Sequence, residues 1–218
     1  MSPGTVTLPC AAVLFDADGT LIDSTALIER AARAWAPAYG IDPDEYLAGA
    51  HGRRTADRVA DFLPAEQVHV AAERLDALED ELQADGGVIA LPGVLELLSR
   101  LGDLPWAVVT SMDTAQLTSR AQAAGVPLPE VLVTAEDVTQ GKPDPSGYLL
   151  AARRLNVEAR GCVVVEDSPA GVSAGRAAGA TVLAVTTTHP VGLLTEADLI
   201  VGDLTRVRAY PGALRVIR

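Results

Sequence analysis

Two aspartates one residue apart, Asp16 and Asp18, follow the apolar run "VLF" at residues 13–15 and precede Gly19 and Thr20. A carboxylate at the end of a buried run is costly unless something pairs with it. In extended chain, residues i and i+2 face the same way, so both carboxylates can address one bound group. Gly19 permits a sharp turn, and Thr20 can cap the next segment. Taken alone, the segment also suits a plain turn after a strand, since Asp and Gly are common turn residues.

The same pattern recurs downstream. Thr110-Ser111 follows "WAVV", Glu166-Asp167-Ser168 follows "CVVV", and "GKPDP" supplies Lys142. Lys142 by itself reads as a solvated surface lysine. It is not part of a Walker phosphate loop, because Glu136 stands where the first glycine should be and Pro143 follows the lysine. The joint order of the four elements carries the weight. If the apolar runs are parallel strands, ligands bind beyond their carboxyl ends, and all these groups face one crevice.

Four carboxylates in one crevice repel each other unless a hard divalent cation joins them, and oxygen ligands suit Mg²⁺. No cluster of His and Cys suggests zinc. Mg²⁺, Lys142 and the hydroxyls of Thr110 and Ser111 would together hold a phosphate. Asp16 can then attack phosphorus as a carboxylate nucleophile. Asp18 is placed to protonate the leaving oxygen and later to deprotonate water.

These groups need elements to position them. The predicted strands are Ala12–Phe15, Trp106–Thr110, Val131–Thr134, Cys162–Val165, Thr181–Val185 and Leu199–Val201. They are continuous and Val-rich, as in a parallel sheet covered on both faces. Helical patterns lie between them. One carries Val94, Leu97, Leu98 and Leu101, and another Leu117, Ala121 and Ala124. A third, opened by Asp144-Pro145, carries Leu149, Ala152 and Leu155. The rhythm is that of a doubly wound, mostly parallel α/β domain.

One interval is too long. About 90 residues separate Asp16 from Thr110, where a crossover needs only about a dozen. The excess reads as helices, with Leu27, Ala31, Ala34, Trp35 and Ala38 on one face and Val68, Ala71, Leu75, Leu78 and Leu82 on another. The expected organisation is a core of residues 1–23 and 87–218 with a small helical domain, residues 24–86, inserted after the first strand. Its connections lie near Ile22–Ser24 and in "ADGGVIALPG".

The 218 residues are 49% hydrophobic and carry a formal net charge of −12, which argues against nucleic acid or an anionic membrane as partner. No apolar stretch reaches the roughly 18 residues of a membrane span. The N-terminus has no basic segment followed by an apolar one, so no secretory signal is expected. Cys10 and Cys162 read as small core residues of a chain in a reducing cytoplasm.

These motifs resemble those of the haloacid dehalogenase-like phosphohydrolase superfamily. "DADGTL" matches its first motif, and "VVTS", "GKPDP" and "VVVEDSPAG" are similar to its second, third and fourth. The resemblance covers essentially the whole chain. It implies a Rossmann-like core with an α-helical cap, Asp16 as nucleophile and Asp18 as general acid/base. It also implies that Thr110, Ser111 and Lys142 bind phosphate. Asp16, the Asp18 carbonyl and Asp167 are then Mg²⁺ ligands, with Glu166 as ligand or in support. Asp18 distinguishes the chain from the dehalogenases, which lack this second acid, and from transport ATPases, which carry Thr there.

The cap placement is similar to the branch that holds sugar phosphatases, phosphoglycolate phosphatase and β-phosphoglucomutase. "HGRRT" at 51–55, "LPGV" and "TAEDVTQGKPDP" look most like bacterial hexose-phosphate and other polyol-phosphate phosphatases. His51, Gly52 and Arg53 are therefore candidate substrate contacts. Arg53 or Arg54 could reach the substrate when the cap closes, or could simply be a solvated helix start. The resulting expectation is a Mg²⁺-dependent phosphatase of a small phosphorylated metabolite, a monomer or weak dimer. A phosphosugar mutase sharing every core motif is the alternative.

Overall fold

The computed structural model describes residues 4–217. In chain order it contains β1 (Thr5–Pro9), β2 (Ala12–Phe15), β3 (Ile22–Asp23), α1 (Thr25–Trp35), α2 (Pro43–Leu47), α3 (Thr55–Val59) and α4 (Ala65–Gln83). There follow β4 (Ile89–Ala90), α5 (Val94–Ser99), β5 (Trp106–Val109), α6 (Thr114–Ala124), β6 (Val131–Val133) and α7 (Ser146–Arg154). The chain ends with β7 (Cys162–Glu166), α8 (Pro169–Ala177), β8 (Thr181–Val185), β9 (Leu199–Val201), β10 (Val207–Tyr210) and β11 (Ala213–Ile217).

The main sheet has six strands in the order β6-β5-β2-β7-β8-β9, all parallel. The earliest strand, β2, is central. The chain builds outward from it to β5 and β6 on one side and to β7, β8 and β9 on the other. This is the switch point at which open parallel sheets bind ligands.

The continuous apolar runs follow from burial on both faces. Along β2, Val13 and Phe15 enter one core cluster while Ala12 and Leu14 enter the other. Along β7, Val163 and Val165 alternate in the same way with Cys162 and Val164. Helices α5 and α6 cover the first face through Val94, Leu97, Leu117 and Ala121. Helices α7 and α8 cover the second through Tyr148, Ala151, Val172 and Ala174. Cys10 and Cys162 are buried free thiols.

Three elements depart from the sequence reading. A three-stranded antiparallel sheet, β1-β11-β10, adds Leu8, Val207, Leu214 and Val216 to the first core cluster. β10 and β11 form a hairpin across Pro211-Gly212, a turn signal that went unread, whereas β1 pairs with β11 from the other end of the sequence, where no local pattern announces it. Helix α7 starts at Ser146 and buries Tyr148, Ala151 and Ala152, leaving Leu149 and Leu155 half-buried. In α1 the buried stripe is Leu27, Ala31, Ala32 and Trp35. Ala34 and Ala38 are exposed, Ala38 because the chain tightens to a 3₁₀ turn at Ala36–Tyr39 and rotates it outward.

Between β3 and β4 the helices α1–α4 pack mainly on one another. Their shared apolar cluster includes Trp35, Tyr46, Val59, Ala71 and Leu75. Trp35 is its centre: the indole is 1% exposed, its N–H donates to the Ala71 carbonyl at 2.9 Å, and Tyr39 and Tyr46 lie against the ring. The two connecting segments are themselves paired, β3 with β4, as a short antiparallel ribbon. Trp35→Ala should therefore cost roughly 3–5 kcal/mol within this cluster. Hydrogen exchange should show the loss of protection concentrated in α1 and α4, while β2 and β7 keep theirs. Equal loss across the parallel sheet would contradict this picture of a separately packed helical cluster.

Candidate active site

The carboxyl ends of β2, β5 and β7 bring the polar residues together. Asp16 follows β2, its N–H donating to the Val165 carbonyl at 3.0 Å, and it is 3% exposed. Thr110 follows β5, with its N–H on the Val133 carbonyl at 2.9 Å. Its Oγ1 accepts from the Met112 N–H at 3.2 Å, which leaves the hydroxyl proton free to donate. Lys142 comes from the loop before α7. It is buried, and its Nζ donates to Asp16 Oδ1, to Glu166 Oε1 at 2.7 Å and to the Val109 carbonyl at 3.1 Å. The surface-lysine reading is thereby excluded.

Glu166 is fully enclosed. Oε1 accepts from Lys142 and from the Tyr148 hydroxyl at 2.8 Å. Oε2 accepts from the N–H groups of Asp167 and Ser168, at 2.9 and 3.1 Å, and from the Ser168 hydroxyl at 3.0 Å. A carboxylate offers about four lone-pair sites, and five donors saturate it. Gly171 on α8 makes this possible, because a Cβ there would collide with the Glu166 carboxyl.

Oxygens of Asp16, Glu166 and Asp167 lie within 4.8 Å of one another. Burial pushes the Asp16 carboxyl up to about 7, with Lys142 opposing. Burial, then Glu166 and Asp16, push Asp167 well above the carboxylate range. Lys142 holds Glu166 below its ordinary value despite burial. Three carboxylates against one ammonium leave a deficit of two positive charges, which one divalent cation matches. The all-oxygen donor set suits Mg²⁺. Asp167 is steadied by the hydroxyls of Thr188 and, at 3.4 Å, Thr20. Asp16 and Asp167 retain coordinating capacity that Glu166 has spent on hydrogen bonds.

Asp18 lies beside Asp16 in the wall of a pocket that also includes Thr110, His51, Gly52 and Arg53. Its Oδ2 is paired with Arg120 of α6, and its Oδ1 is buried without a partner. Arg120 also pairs with Glu79 of α4. Burial pushes the Glu79 carboxyl up to about 7, with Arg120 opposing. The sequence reading missed both residues. The available signal was a charge within an apolar stripe, Glu79 four residues after Leu75 and Arg120 three after Leu117.

The predicted cap contacts divide. Gly52 reaches the strand ends: its carbonyl accepts from the Ser111 hydroxyl at 3.0 Å. Ser111 thus spends its proton on the inserted segment. The Arg53 guanidinium lines the pocket but donates to Asp61 at 2.5 Å and to the Asp57 carbonyl at 2.8 Å. Arg54 donates to Asp57 at 2.9 Å and to the Val138 and Thr139 carbonyls at 3.3 and 3.0 Å. His51 has a buried, unpartnered Nδ1. Burial holds its imidazole below the ordinary value, with Asp18 opposing.

Gly52 has φ +81°, and a Cβ there would run into the Ser168 side chain. Gly52→Ala should push the segment off the strand ends. We expect kcat/KM to fall by about 10–100-fold, since a displacement of about 1 Å suffices for such a loss, with Tm lowered by a few degrees at most for the strain of a side chain at positive φ. Wild-type kinetics would show that the Ser111–Gly52 contact has no part in turnover.

Residues 10–179 match the haloacid dehalogenase-like hydrolase family. Hexitol phosphatase A of Escherichia coli is 42% identical over 201 residues, 91% of this chain and 93% of that protein. Validoxylamine A 7'-phosphate phosphatase of Streptomyces hygroscopicus is 38% identical over 208 residues, covering 89% and 94%. A hydrolase from Pseudomonas syringae superposes with a TM-score of 0.81 at 27% identity, covering 90% of this chain and 94% of its own. The motifs at the ends of β2, β5 and β7 and the matched span agree: the chain is an enzyme of the haloacid dehalogenase-like hydrolase family, and its named relatives are phosphoric monoester hydrolases.

Proposed function

We propose that the chain is a Mg²⁺-dependent phosphatase of small sugar or polyol phosphates, acting through an aspartyl-phosphate on Asp16. The observation that carries this reading is Asp16 itself, a buried carboxylate clamped by Lys142 at the floor of a pocket whose wall holds a second carboxylate, Asp18. The two similar phosphatases, one named for hexitol, support a polyhydroxylated substrate and favour hydrolysis over the mutase alternative.

In this reading Asp16, Asp167 and the Asp18 carbonyl would hold Mg²⁺, while Glu166 fixes Lys142 behind them. When bound, Mg²⁺ would neutralise phosphate charge and steady it toward attack. Lys142 keeps Asp16 oriented and adds positive charge beside the phosphate. The Thr110 hydroxyl donates to a phosphate oxygen. Asp16 attacks phosphorus, the bond to the leaving oxygen breaks, and Asp18 gives that oxygen a proton from Oδ1. Arg120 holds Oδ2, so Oδ1 is the atom that moves protons. Water then attacks the phosphoaspartate, Asp18 takes its proton, and inorganic phosphate departs with Asp16 restored. The helices of residues 24–86 act as a cap, and the Ser111–Gly52, Arg120–Glu79 and Gln116–Asp76 contacts are its closed position.

Asp16→Asn keeps size but removes the nucleophile. Turnover of hexitol phosphate should fall by about 10⁴-fold or more, with circular dichroism and Tm preserved. Chelation should abolish turnover and Mg²⁺ should restore it. Activity of Asp16→Asn near the wild-type level would remove Asp16 from the role. Transfer of the phosphate to another position of the sugar, with little released, would favour the mutase.

A further inference from the structure

The pocket also holds a charge, Glu79, that takes no direct part in the chemistry at phosphorus. Arg120 is 2% exposed and divides its guanidinium between Asp18 and Glu79. One cation faces two acids. With both acids ionised the trio is negative, and with one proton, on Glu79 or on the Asp18 that acts as acid, it is neutral; neither state offers a spare positive charge. The pocket's other guanidinium, Arg53, is committed to Asp61 and the Asp57 carbonyl. Among the described residues lining this pocket, no cation is left to receive an anion.

Hydroxyl partners, by contrast, are plentiful. His51 Nδ1 is buried and unpartnered. Arg120 has N–H groups beyond the two it has spent, and Gln116 and Thr55, both held by Asp76, line the same wall. A hydroxyl both donates and accepts, so it can satisfy these groups in any order. A carboxylate or second phosphate only accepts, and it would lie against Glu79 and Asp18 in a poorly hydrated wall. Like charges so placed are strongly unfavourable.

We infer that the Arg120–Glu79 pair is a specificity device: it admits uncharged, hydroxylated leaving groups and rejects phosphates whose leaving group carries a second anion. The inference rests on the phosphatase reading and names the substrate class of that same pocket. Glu79 acts by its charge, and Arg120 by being occupied.

The test compares glucitol 6-phosphate with gluconate 6-phosphate, which share a carbon chain and a phosphate and differ in a terminal hydroxymethyl against a carboxylate. The wild-type enzyme with Mg²⁺ should favour glucitol 6-phosphate by about 100-fold in kcat/KM, chiefly through KM. Glu79→Gln removes a charge at constant size and should narrow that ratio by about 10-fold or more, with gluconate 6-phosphate gaining. Glu79→Ala should narrow it likewise, and p-nitrophenyl phosphate reports whether each protein is competent. A wild-type ratio near one overturns the inference, even if neither variant folds. So does an unchanged ratio in competent variants. Hydrolysis of p-nitrophenyl phosphate with neither sugar phosphate turned over would instead overturn the polyol phosphatase reading, and the inference with it.

Discussion

A single ammonium, that of Lys142, makes the centre of this molecule possible. Asp16, Glu166 and Asp167 are buried within a few ångströms of one another at the ends of adjacent parallel strands. Without a counter-charge their repulsion and desolvation would drive protons onto them. Lys142 occupies the space between Asp16 and Glu166, and Glu166 is in turn locked by Tyr148, Ser168 and the start of α8. The order of dependence runs outward from there. Gly171 lets α8 approach Glu166, Glu166 fixes Lys142, and Lys142 fixes Asp16. The remaining negative charge is a ready site for a divalent cation.

A second cation organises the other half of the pocket. Arg120 belongs to α6 of the sheet-bearing region, Glu79 to the inserted helices, and Asp18 to the strand end. The ion pair between regions is thus made through the wall of the pocket rather than at its rim. A buried guanidinium with two acids is costly to break by removing one partner. The same bonds therefore position Asp18 and connect the inserted helices to the sheet. In the proposed mechanism closure and catalytic geometry are then one arrangement of charges, and the Ser111–Gly52 hydrogen bond adds a further contact between the inserted helices and the strand ends.

Most of this framework is legible in the sequence because it rests on local patterns. The six parallel strands are each a short apolar run ended by a polar group, and burial on both faces explains why "AVLF" and "CVVVE" do not alternate. Asp16, Thr110, Lys142 and Glu166 could be placed together because a parallel sheet puts every strand's end on one edge. The pairings between distant residues are a different matter. No spacing reveals that Ser111 donates to Gly52, that Arg53 is spent on Asp61, or that Arg120 stands between Asp18 and Glu79. Those depend on how the inserted helices sit over the sheet. β1 escaped for a related reason, since it pairs with β11 about 200 residues away, while the β10–β11 hairpin did carry a local signal in Pro211-Gly212.

The proposed passage of phosphate through Asp16 is tested directly by the stereochemical course at phosphorus. A phosphate monoester made chiral with oxygen isotopes would be hydrolysed in water of the complementary isotope, and the configuration of the released phosphate determined. Two in-line displacements, first by Asp16 and then by water, predict overall retention. Net inversion would mean that water attacks the substrate in a single step, and would contradict the assignment of Asp16 as nucleophile.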